Sequence, residues 1–441
     1  MTDHAATSSD RRRRHGCILL LALASLLAGA PAAGTDSLAA AIRAAAPGAV
    51  LRVPAGVHRV HLLLDRPVTL EGEPGAVLDG DGSGDVVRIR SSGVTLRNLI
   101  IRRSGRDLTA MNAGVFVEGG SRDVSIADNR IEDVLFGVYL DGAANVRVER
   151  NTITGLPALR VSDRGDGIHL WNDTGCTIAG NDVSATRDGI YVYVSPHNTI
   201  TDNHIHGVRY GIHYMYSHYN TLRGNVSSGN VAGYALMSSD HLKVFDNISR
   251  DQQAYGYLLN YISHSDIRGN QSRGVNGQLD DNAGLIDGAD GKGMFVYLSQ
   301  FNTIADNLLT DSQIGIHVTA GSEHNLIHGN AFVANRVQVK YVQNIAEEWS
   351  ERRRGNYWSD YLGWDMNGDG IGDVAYRPND GVDVLLWKYP SARTLMSSPA
   401  ILLLRYVQRA FPVFTPPTVQ DSFPLMHAPP TSDRQTDAQH H

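Results

Sequence analysis

The segment GIHYMYSHYNTLRGN, at residues 211–225, contains side chains whose types and spacing could bind a metal ion, namely His213, Met215 and His218. Thioether sulfur and imidazole nitrogen together favour Cu(I) over hard cations. The alternative is a strand and turn that are merely rich in histidine, since many histidines in proteins bind nothing. The choice between the two depends on which of these side chains share a face of the fold.

A second candidate site lies in the run DMNGDGIGD near the C-terminus. Oxygen donors recur there at alternate positions, as in Ca²⁺-binding loops, and Gly370 permits a tight turn. The expected ligands are Asp365, Asn367, Asp369, the carbonyl of Ile371, and Asp373. The run departs from an EF-hand because Tyr376 stands where a bidentate Glu is expected. We predict a structural Ca²⁺ loop, and a loop closed by Asx turns without an ion is the alternative.

Carboxylates that could serve an enzyme occur in two places. Asp166 and Asp188 each precede a glycine that opens a strand, and Asp287 and Asp290 lie in an insertion. Polysaccharide-cleaving enzymes need converging carboxylates or a base beside a carboxyl group. An Asp in such a turn more often bonds the local backbone, which is the interpretation favoured here. We therefore predict a non-catalytic protein, and a polysaccharide-binding or polysaccharide-modifying protein, similar to a lyase or epimerase, is the alternative.

A repeat through the middle of the chain predicts the fold that positions these residues. Short β-rich segments such as CTIAGN, NTITDN and NTLRGN end in asparagine, and the successive steps are 22, 30, 22, 22, 22, 23, 37 and 23 residues. The asparagines are Asn129, Asn151, Asn181, Asn203, Asn225, Asn247, Asn270, Asn307 and Asn330. This period is typical of one solenoid coil, and no helix-length amphipathic segment separates the strands. We predict an all-β fold, a single-stranded right-handed parallel β-helix of about 22 residues per coil, in which the asparagines stack and bond from coil to coil.

The β-helix would place some of the candidate ligands on one outer face. In the strand after each repeat glycine, every second side chain points outward. His213 and Met215 then lie about 7 Å apart, and Met237 lies one coil away from Met215, at about 4.8 Å. His169 shares the column of His213 two coils back. We predict a soft, exposed Cu(I) site at His213, Met215 and Met237, with His169 and His218 as further candidates.

Two other expectations concern this part of the fold. The outer face is unusually rich in aromatic, His and Met side chains, so it is either a contact surface or is covered by the C-terminal segment. His218 lies past the strand, in a turn beside another histidine-rich column. That column contains His197, Tyr219, His241 and His264, with His324 one residue out of register.

The N-terminal residues predict export from the cytoplasm. Residues 1–33 combine four arginines with an apolar run and small residues, as in a cleaved signal peptide. Without that peptide the formal charge of −7 becomes about −9, which argues against a nucleic-acid partner. Cys176 is the one cysteine left, so no disulfide can hold the fold together.

The sequence is predicted to divide into the following domains after the signal peptide. The β-helix spans residues 34–343, beginning with a capping helix at about residues 36–46. A small irregular and helical C-terminal module spans residues 344–426. It contains the Ca²⁺-type loop and two short helices, near Ser391 to Met396 and near Pro399 to Phe411, which would cap the last coil or dock on a partner. Residues 427–441 form a polar tail that we expect to be disordered.

The N-terminal series VLRVPAG, VTLEGE and AVLDGDG, the asparagine repeat, and above all GNYWSDYLGWDMNGDGIGDVAYRPNDGVDVLLWKYP resemble the NosD family. The resemblance covers nearly the whole mature chain, and the C-terminal module is its most specific part. It implies a periplasmic accessory protein that handles copper during maturation of nitrous oxide reductase, an enzyme of denitrification. The implied partners are an ABC transporter permease and ATPase, which hold the protein at the inner membrane, and a lipoprotein copper chaperone. No ligand set is carried over from the family.

Overall fold

The computed structural model describes residues 35–277, 291–319, 321–379, 382–383, 398–410 and 418–429. Three parallel sheets run side by side along one solenoid, and successive strands of the chain pass from the first sheet to the second to the third. Each strand pairs in parallel with the strand one coil away. The predicted parallel β-helix is confirmed.

Sheet 1 has 12 strands in the described residues: Ala49–Val53, Val68–Gly72, Thr95–Arg97, Ser125–Ala127, Arg147–Glu149, Thr177–Ala179, Thr199–Thr201, Thr221–Arg223, Lys243–Phe245, Asp266–Arg268, Thr303–Ala305 and Leu326–His328. Sheet 2 has 13 in that same part of the chain: Gly56–Arg59, Ala76–Asp79, Ile100–Arg102, Arg130–Glu132, Thr152–Thr154, Asp182–Ser184, His204–His206, Val226–Ser228, Ile248–Arg250, Gln271–Arg273, Leu308–Thr310, Ala331–Val333 and Tyr357–Trp358.

Sheet 3 has 12 strands within the described ranges: Leu62–Leu64, Val87–Ile89, Ala113–Val117, Phe136–Asp141, Ile168–Trp171, Asp188–Tyr193, Tyr210–Met215, Ala232–Asp240, Tyr255–Ser263, Lys292–Tyr297, Ile314–Thr319 and Val337–Val342. A separate parallel pair joins Glu347–Glu348 to Val419–Gln420. A single 3₁₀ turn, Val161–Asp163, interrupts an inter-strand loop.

The core is a set of apolar columns inside the coil. Ile178, Ile200 and Leu222 on sheet 1 are partners in successive coils and are fully buried. Each such side chain contributes about 1.5 to 3 kcal/mol by leaving water. The glycines that open the sheet 3 strands allow the coils to approach, because a Cβ on Gly189 would collide with the carbonyl oxygen of Gly211 and with Ile205.

The asparagine ladder runs along the corner between sheets 1 and 2. Asn225 donates through Nδ2 to Oδ1 of Asn247 in the next coil and to the carbonyl of Ile200, both at 2.9 Å. Its own Oδ1 accepts the side chain of Asn203 at 2.9 Å and the Asn203 backbone N–H at 3.1 Å. The same pattern links all nine predicted asparagines, which are buried. Each amide therefore satisfies polar groups of two coils at once.

Helix α1, Thr35–Ala44, covers the first coil through buried Leu38 and Ile42. The predicted capping helix is thus present within a residue or two of its expected bounds. The guanidinium of Arg66 donates to the carbonyl of Arg43 at 2.7 Å, which satisfies one of the open carbonyls at the helix end.

The asparagine ladder extends one position beyond the nine predicted residues, to Asn356. Tyr357–Trp358 then pairs with Ala331–Val333, so the last strand of sheet 2 comes from the segment that was assigned to the C-terminal module. Trp358 stacks on Phe332 at 4.4 Å and on Tyr376 at 4.6 Å, and these rings close the end of the apolar core. The structure therefore caps the coil with aromatic side chains.

The buried carboxylate of Asp421 terminates the ladder. It accepts hydrogen bonds from the backbone N–H of Asn356 at 2.7 Å, the indole of Trp358 at 2.8 Å and the backbone N–H of Phe423 at 3.1 Å. Burial nevertheless raises the pKa of Asp421 to about 6. The carboxylate of Asp421, whose pKa is raised, therefore fixes the returning segment 418–426 to the end of the solenoid.

Helix α2, Pro399–Ala410, confirms the position of the second predicted C-terminal helix. Its apolar residues Leu402, Leu403, Leu404, Tyr406 and Val407 are exposed. No helix among the described residues has the length and hydropathy needed to cross a bilayer. The predicted signal peptide, the helix at Ser391–Met396 and most of the tail lie outside the described residues.

We expect Asn225→Ala to lower the free energy of unfolding by about 3 to 5 kcal/mol, since it leaves buried donors and acceptors of two neighbouring coils without partners. Urea denaturation followed by circular dichroism measures the loss. Asn344→Ala, at an exposed loop position, is the matched control and should change stability by less than about 0.5 kcal/mol. Equal small losses in both variants would show that the ladder does not stabilise the coil.

We expect Asp421 to make the free energy of unfolding rise as the pH falls from about 7 to about 4. Between its folded pKa of about 6 and its ordinary value of 3.8, the folded chain binds a proton that the unfolded chain does not. The stability of the natural protein relative to Asp421→Asn should therefore grow by up to about 3 kcal/mol over this window. Urea unfolding monitored by tryptophan fluorescence measures it, and a pH-independent difference between the two proteins would rule out the raised pKa.

Candidate metal centre

The predicted columns on the outer face of sheet 3 are present in the register that the repeat implies. His169 pairs with Tyr191, and Tyr191 pairs with His213. Met215 pairs with Met237 in the next coil. His213 and Met215 therefore lie on one face of their strand, with Met237 beside Met215 on the next strand, and these three residues are called the His/Met cluster below.

The imidazole of His213 is held by a buried carboxylate. Its Nδ1 lies 2.9 Å from Oδ2 of Asp188, and because an ionised carboxylate only accepts, Nδ1 carries the shared proton. Arg209 donates to both oxygens of Asp188, at 2.8 and 2.6 Å. Burial alone would raise the pKa of Asp188, but the hydrogen bonds from His213 and Arg209 outweigh it and hold that pKa far below its usual range.

The other ring nitrogen of His213 is available for a ligand. Nε2 is buried and has no hydrogen-bond partner among the described residues. In a neutral imidazole whose Nδ1 is protonated, Nε2 bears the free lone pair. A histidine whose ring orientation is fixed through a carboxylate on one nitrogen is the usual arrangement of a protein metal ligand.

The two methionines of the cluster are more exposed than His213. Met215 and Met237 are half-buried, and the hydroxyl of Tyr191 donates to the sulfur of Met215 at 3.6 Å. Met237 packs against a small apolar cluster that contains Ala235 and Leu258. One imidazole nitrogen and two thioether sulfurs form a soft donor set, which suits Cu(I) and offers little to Mg²⁺ or Ca²⁺.

The predicted exposure of this site is wrong in one respect. His213 is 8% exposed, because Tyr191 and Tyr210 pack against its ring at 4.6 and 5.1 Å between centroids. The cover comes from these neighbouring side chains. The described part of the C-terminal segment lies elsewhere, with Val419–Gln420 paired to Glu347–Glu348. Within the cluster, His213 is thus buried and Met215 and Met237 are half-buried.

His169 repeats the arrangement two coils back but belongs to a different environment. Its Nδ1 lies 2.8 Å from Asp166, which Arg187 holds from the next coil at 3.1 Å, and its Nε2 also has no partner in the described structure. The ring of Tyr191 stands between His169 and His213, at 4.9 and 4.6 Å. His169 therefore cannot share an ion with the His/Met cluster.

His218 is not brought to the cluster either. It lies in the turn after the strand, where its Nδ1 is 2.8 Å from Asp240, and Asp240 also pairs with His241 at 2.7 Å. The neighbouring column forms a ladder of stacked rings at centroid distances of 4.6 to 5.4 Å, in the order His197, Tyr219, His241, His264, Phe301, His324. His324, predicted to be out of register, stacks on Phe301 in this ladder.

The two carboxylates that were weighed as catalytic groups have another role. Asp166 and Asp188 are fully buried, and each binds an arginine and a histidine. Each also accepts, at 3.3 Å, a backbone N–H group from the next coil, that of Asp188 and that of Tyr210 respectively. The favoured interpretation, bonding to the local backbone, is wrong, because the backbone N–H groups that these carboxylates accept belong to the next coil. Asp287 and Asp290 lie outside the described residues.

The predicted Ca²⁺ loop is exposed and is closed by its own backbone. Asp365 accepts from the backbone N–H groups of Gly368 and Gly370 at 2.7 and 2.8 Å, and Asp369 accepts from that of Ile371 at 2.9 Å. These are the Asx-type contacts of the ion-free alternative, and Asn367 and Asp373 likewise accept backbone N–H groups. Tyr376 stacks on Trp358 and is not positioned as a ligand.

Sequence reasoning missed several residues. The pairing of Asp188 with His213 and Arg209 was not predicted, because the Asp that binds His213 lies one coil earlier, 25 residues away. A cluster of Asp182, His204 and His206 was also missed, although the 22-residue step from Asp182 to His204 followed by His-x-His could have revealed it. Cys176, the obvious soft ligand, is buried, and burial raises the pKa of its thiol to about 12.

Comparison with known proteins identifies relatives of the whole chain. The profile of a family described as "Periplasmic copper-binding protein (NosD)" matches residues 157–363. A protein of Stutzerimonas stutzeri named "Probable ABC transporter binding protein NosD" is 53% identical over 380 residues, which cover 86% of this chain and 87% of that protein. A Pseudomonas aeruginosa protein of the same name is 50% identical over 431 residues, covering 98% of this chain and 99% of the relative.

A solved structure shares the solenoid at low sequence identity. The Streptococcus pneumoniae surface protein and adhesin PfbA aligns over 70% of this chain and 95% of its own, with a TM-score of 0.55 and 11% identity. That likeness concerns the fold alone.

Proposed function

The chain belongs to the NosD family of periplasmic copper-binding proteins, and we propose that it carries Cu(I) on the His/Met cluster as cargo for the maturation of nitrous oxide reductase. In this proposal the protein is non-catalytic. It receives copper from a lipoprotein chaperone and works with an ABC transporter permease and ATPase at the periplasmic side of the inner membrane.

One observation carries the choice of site. His213 presents a buried Nε2 without a partner in the described structure, while its Nδ1 is fixed by Asp188 at 2.9 Å. A buried polar atom without a hydrogen bond costs about 1 to 3 kcal/mol, so its retention beside two thioethers calls for a ligand. Met215 and Met237 supply the soft sulfurs that Cu(I) prefers.

The proposal covers transfer of the Cu(I) ion to a partner as well as its binding. Asp188 and Arg209 fix the orientation of the imidazole, so His213 is a rigid ligand. The methionines are half-buried and have flexible side chains. A partner can therefore approach the ion from the methionine side and exchange its own ligands for the thioethers one at a time.

The names of the relatives and the exposed helix α2 support the partners. Both relatives are named as ABC transporter binding proteins. Helix α2 exposes Leu402, Leu403, Leu404, Tyr406 and Val407, and a helix of this length cannot span a bilayer. We infer that it docks on the permease. The chaperone, the reductase, the cleaved signal peptide and the structural Ca²⁺ at Asp365–Asp373 remain predictions within the same proposal.

A second candidate function has one observation in its favour. Trp171, Tyr216, Tyr261 and Tyr297 are exposed aromatic residues, and such side chains can stack on sugars. A polysaccharide-binding role would leave the orientation of His213 without a purpose. Binding of alginate or pectin oligosaccharides to the mature protein would favour this alternative over copper transfer.

We expect the mature protein to bind Cu(I) tightly and the triple variant His213→Ala, Met215→Ala, Met237→Ala to bind it at least about 100-fold more weakly, because all three donors are removed. Anaerobic titration against a chromogenic Cu(I) competitor measures both affinities. His169→Ala is the matched control, since it removes an equally oriented imidazole that has no methionine beside it. A loss confined to the control would move the site to His169, and no loss in either would exclude this face.

We expect Asp188→Asn to weaken Cu(I) binding by about 10- to 100-fold, the usual effect of losing the carboxylate that orients a metal-binding histidine. Asp166→Asn makes the same change in the preceding coil and disturbs an equivalent ion pair. The control should lose similar stability in urea but keep its Cu(I) affinity. Equal affinities in the two variants would mean that Asp188 stabilises the coil without tuning His213.

A further inference from the structure

The outer face of sheet 2 carries a second cluster of side chains of types that bind metal ions. It is separate from the His/Met cluster, which lies on sheet 3. Asp182 begins one strand, and His204 begins the strand of the next coil and is its direct partner. His206 lies two residues further on and therefore on the same face. These residues form the Asp/His cluster.

The ligand atoms of the three side chains lie close to one another. Oδ2 of Asp182 lies 2.9 Å from Nδ1 of His204, and Oδ1 lies 3.4 Å from Nε2 of His206. One ligand atom from each residue lies within 4.8 Å of the others, and this is the one group of His, Cys, Asp and Glu in the described part of the chain that meets this condition. The imidazole rings are 5.1 Å apart between centroids.

The backbone beneath the cluster is held rigidly. Asn181 and Asn203, which directly precede Asp182 and His204, are consecutive members of the asparagine ladder and are joined at 2.9 Å. Val183 and Ile205, the next residues in each strand, are fully buried in the core. The two strands therefore cannot slip, and the Asp and His side chains start from fixed positions.

We propose that Asp182, His204 and His206 form a second metal site, which binds a divalent first-row transition-metal ion of the Cu²⁺ and Zn²⁺ class. With metal–ligand bonds of about 2.0 to 2.2 Å, ligands at angles of 90° to 109° lie about 2.8 to 3.6 Å apart. The two Asp–His distances fall within that range, so an ion can replace the protons that now bridge the carboxylate and the rings. Two nitrogens and one carboxylate oxygen suit Cu²⁺ and Zn²⁺ and are harder than the donors of the His/Met cluster.

The electrostatics of the cluster agree with cation binding. Hydrogen bonds from His204 and His206 lower the pKa of Asp182 far below its usual range, so its carboxylate is ionised. The hydrogen bond to Asp182 raises the pKa of His206. All three side chains are half-exposed, at 43 to 46%, which leaves the remaining coordination positions open to water or to a partner.

The experiment is a Zn²⁺ titration of the full-length mature protein by isothermal calorimetry, followed by electron paramagnetic resonance of the Cu²⁺ form. We expect one ion per chain to bind at this site, and His204→Ala with His206→Ala to weaken that event at least about 100-fold. The Cu²⁺ spectrum of the natural protein should show coupling to two nitrogens, which the double variant should lose.

His241→Ala with His264→Ala is the matched control, because it removes two exposed histidines of the turn ladder. It should leave both readouts unchanged, and both variants retain His440 and His441 of the tail, so any binding there cancels. The milder substitution His206→Gln guards against a folding defect and should weaken binding about 10-fold. Unchanged Zn²⁺ affinity in the His204 and His206 variants would show that the cluster binds no metal ion and is only an Asp paired with two histidines.

The test is independent of the proposed Cu(I) function. The His204 and His206 double variant should bind Cu(I) as the natural protein does, since the His/Met cluster lies on another sheet. A parallel loss of Cu(I) and Zn²⁺ binding would show that both ions use one site and would overturn the proposal of a second one.

Discussion

The hydrogen bonds of the asparagine ladder are the constraint on which the rest of the structure depends. Each buried amide joins three coils, since Asn203 donates to Asn225 and to the carbonyl of Ile178 while its own oxygen accepts from Asn181. A slip of one residue would break these bonds and turn every side chain to the opposite face. The ladder therefore fixes which residues become neighbours, and side chains two apart in a strand or in register on adjacent coils share a face.

A second set of interactions uses that register to orient side chains on the outside of the coil. The carboxylates of Asp166 and Asp188 are fully buried, yet each is paired with an arginine of the following coil and with a histidine. Removing such charges from water is costly, and the bidentate geometry offsets the cost only in part. Hydrophobic residues could stabilise the coil at those positions equally well. What the ion pairs add is two imidazoles that are held in fixed orientations with one free nitrogen each.

The sequence predicted the fold well because the repeat is visible in single residue types. The spacing of Asn and Gly gave the coil, and strand alternation gave the inward and outward columns, including the pairing of Met215 with Met237. The burial of His213 could not be predicted, since it depends on how Tyr191 and Tyr210 pack around the ring. The role of Asp421 could not be predicted either, because it binds Asn356 from 65 residues away and belongs to no repeat. Contacts that lie outside the period carry no signature in one sequence.

The solenoid also explains how one chain can hold metal sites of different character. Each coil contacts only its neighbours, so a cluster built on two coils of one sheet constrains nothing on another sheet. The proposed Cu(I) site on sheet 3 combines a buried imidazole with two thioethers, and these donors suit a soft ion. The Asp/His cluster uses the open face of sheet 2, where water can complete the shell of a divalent ion. Under both proposals, burial and donor type select the ion at each site, while the asparagine ladder supplies the same rigid spacing to both.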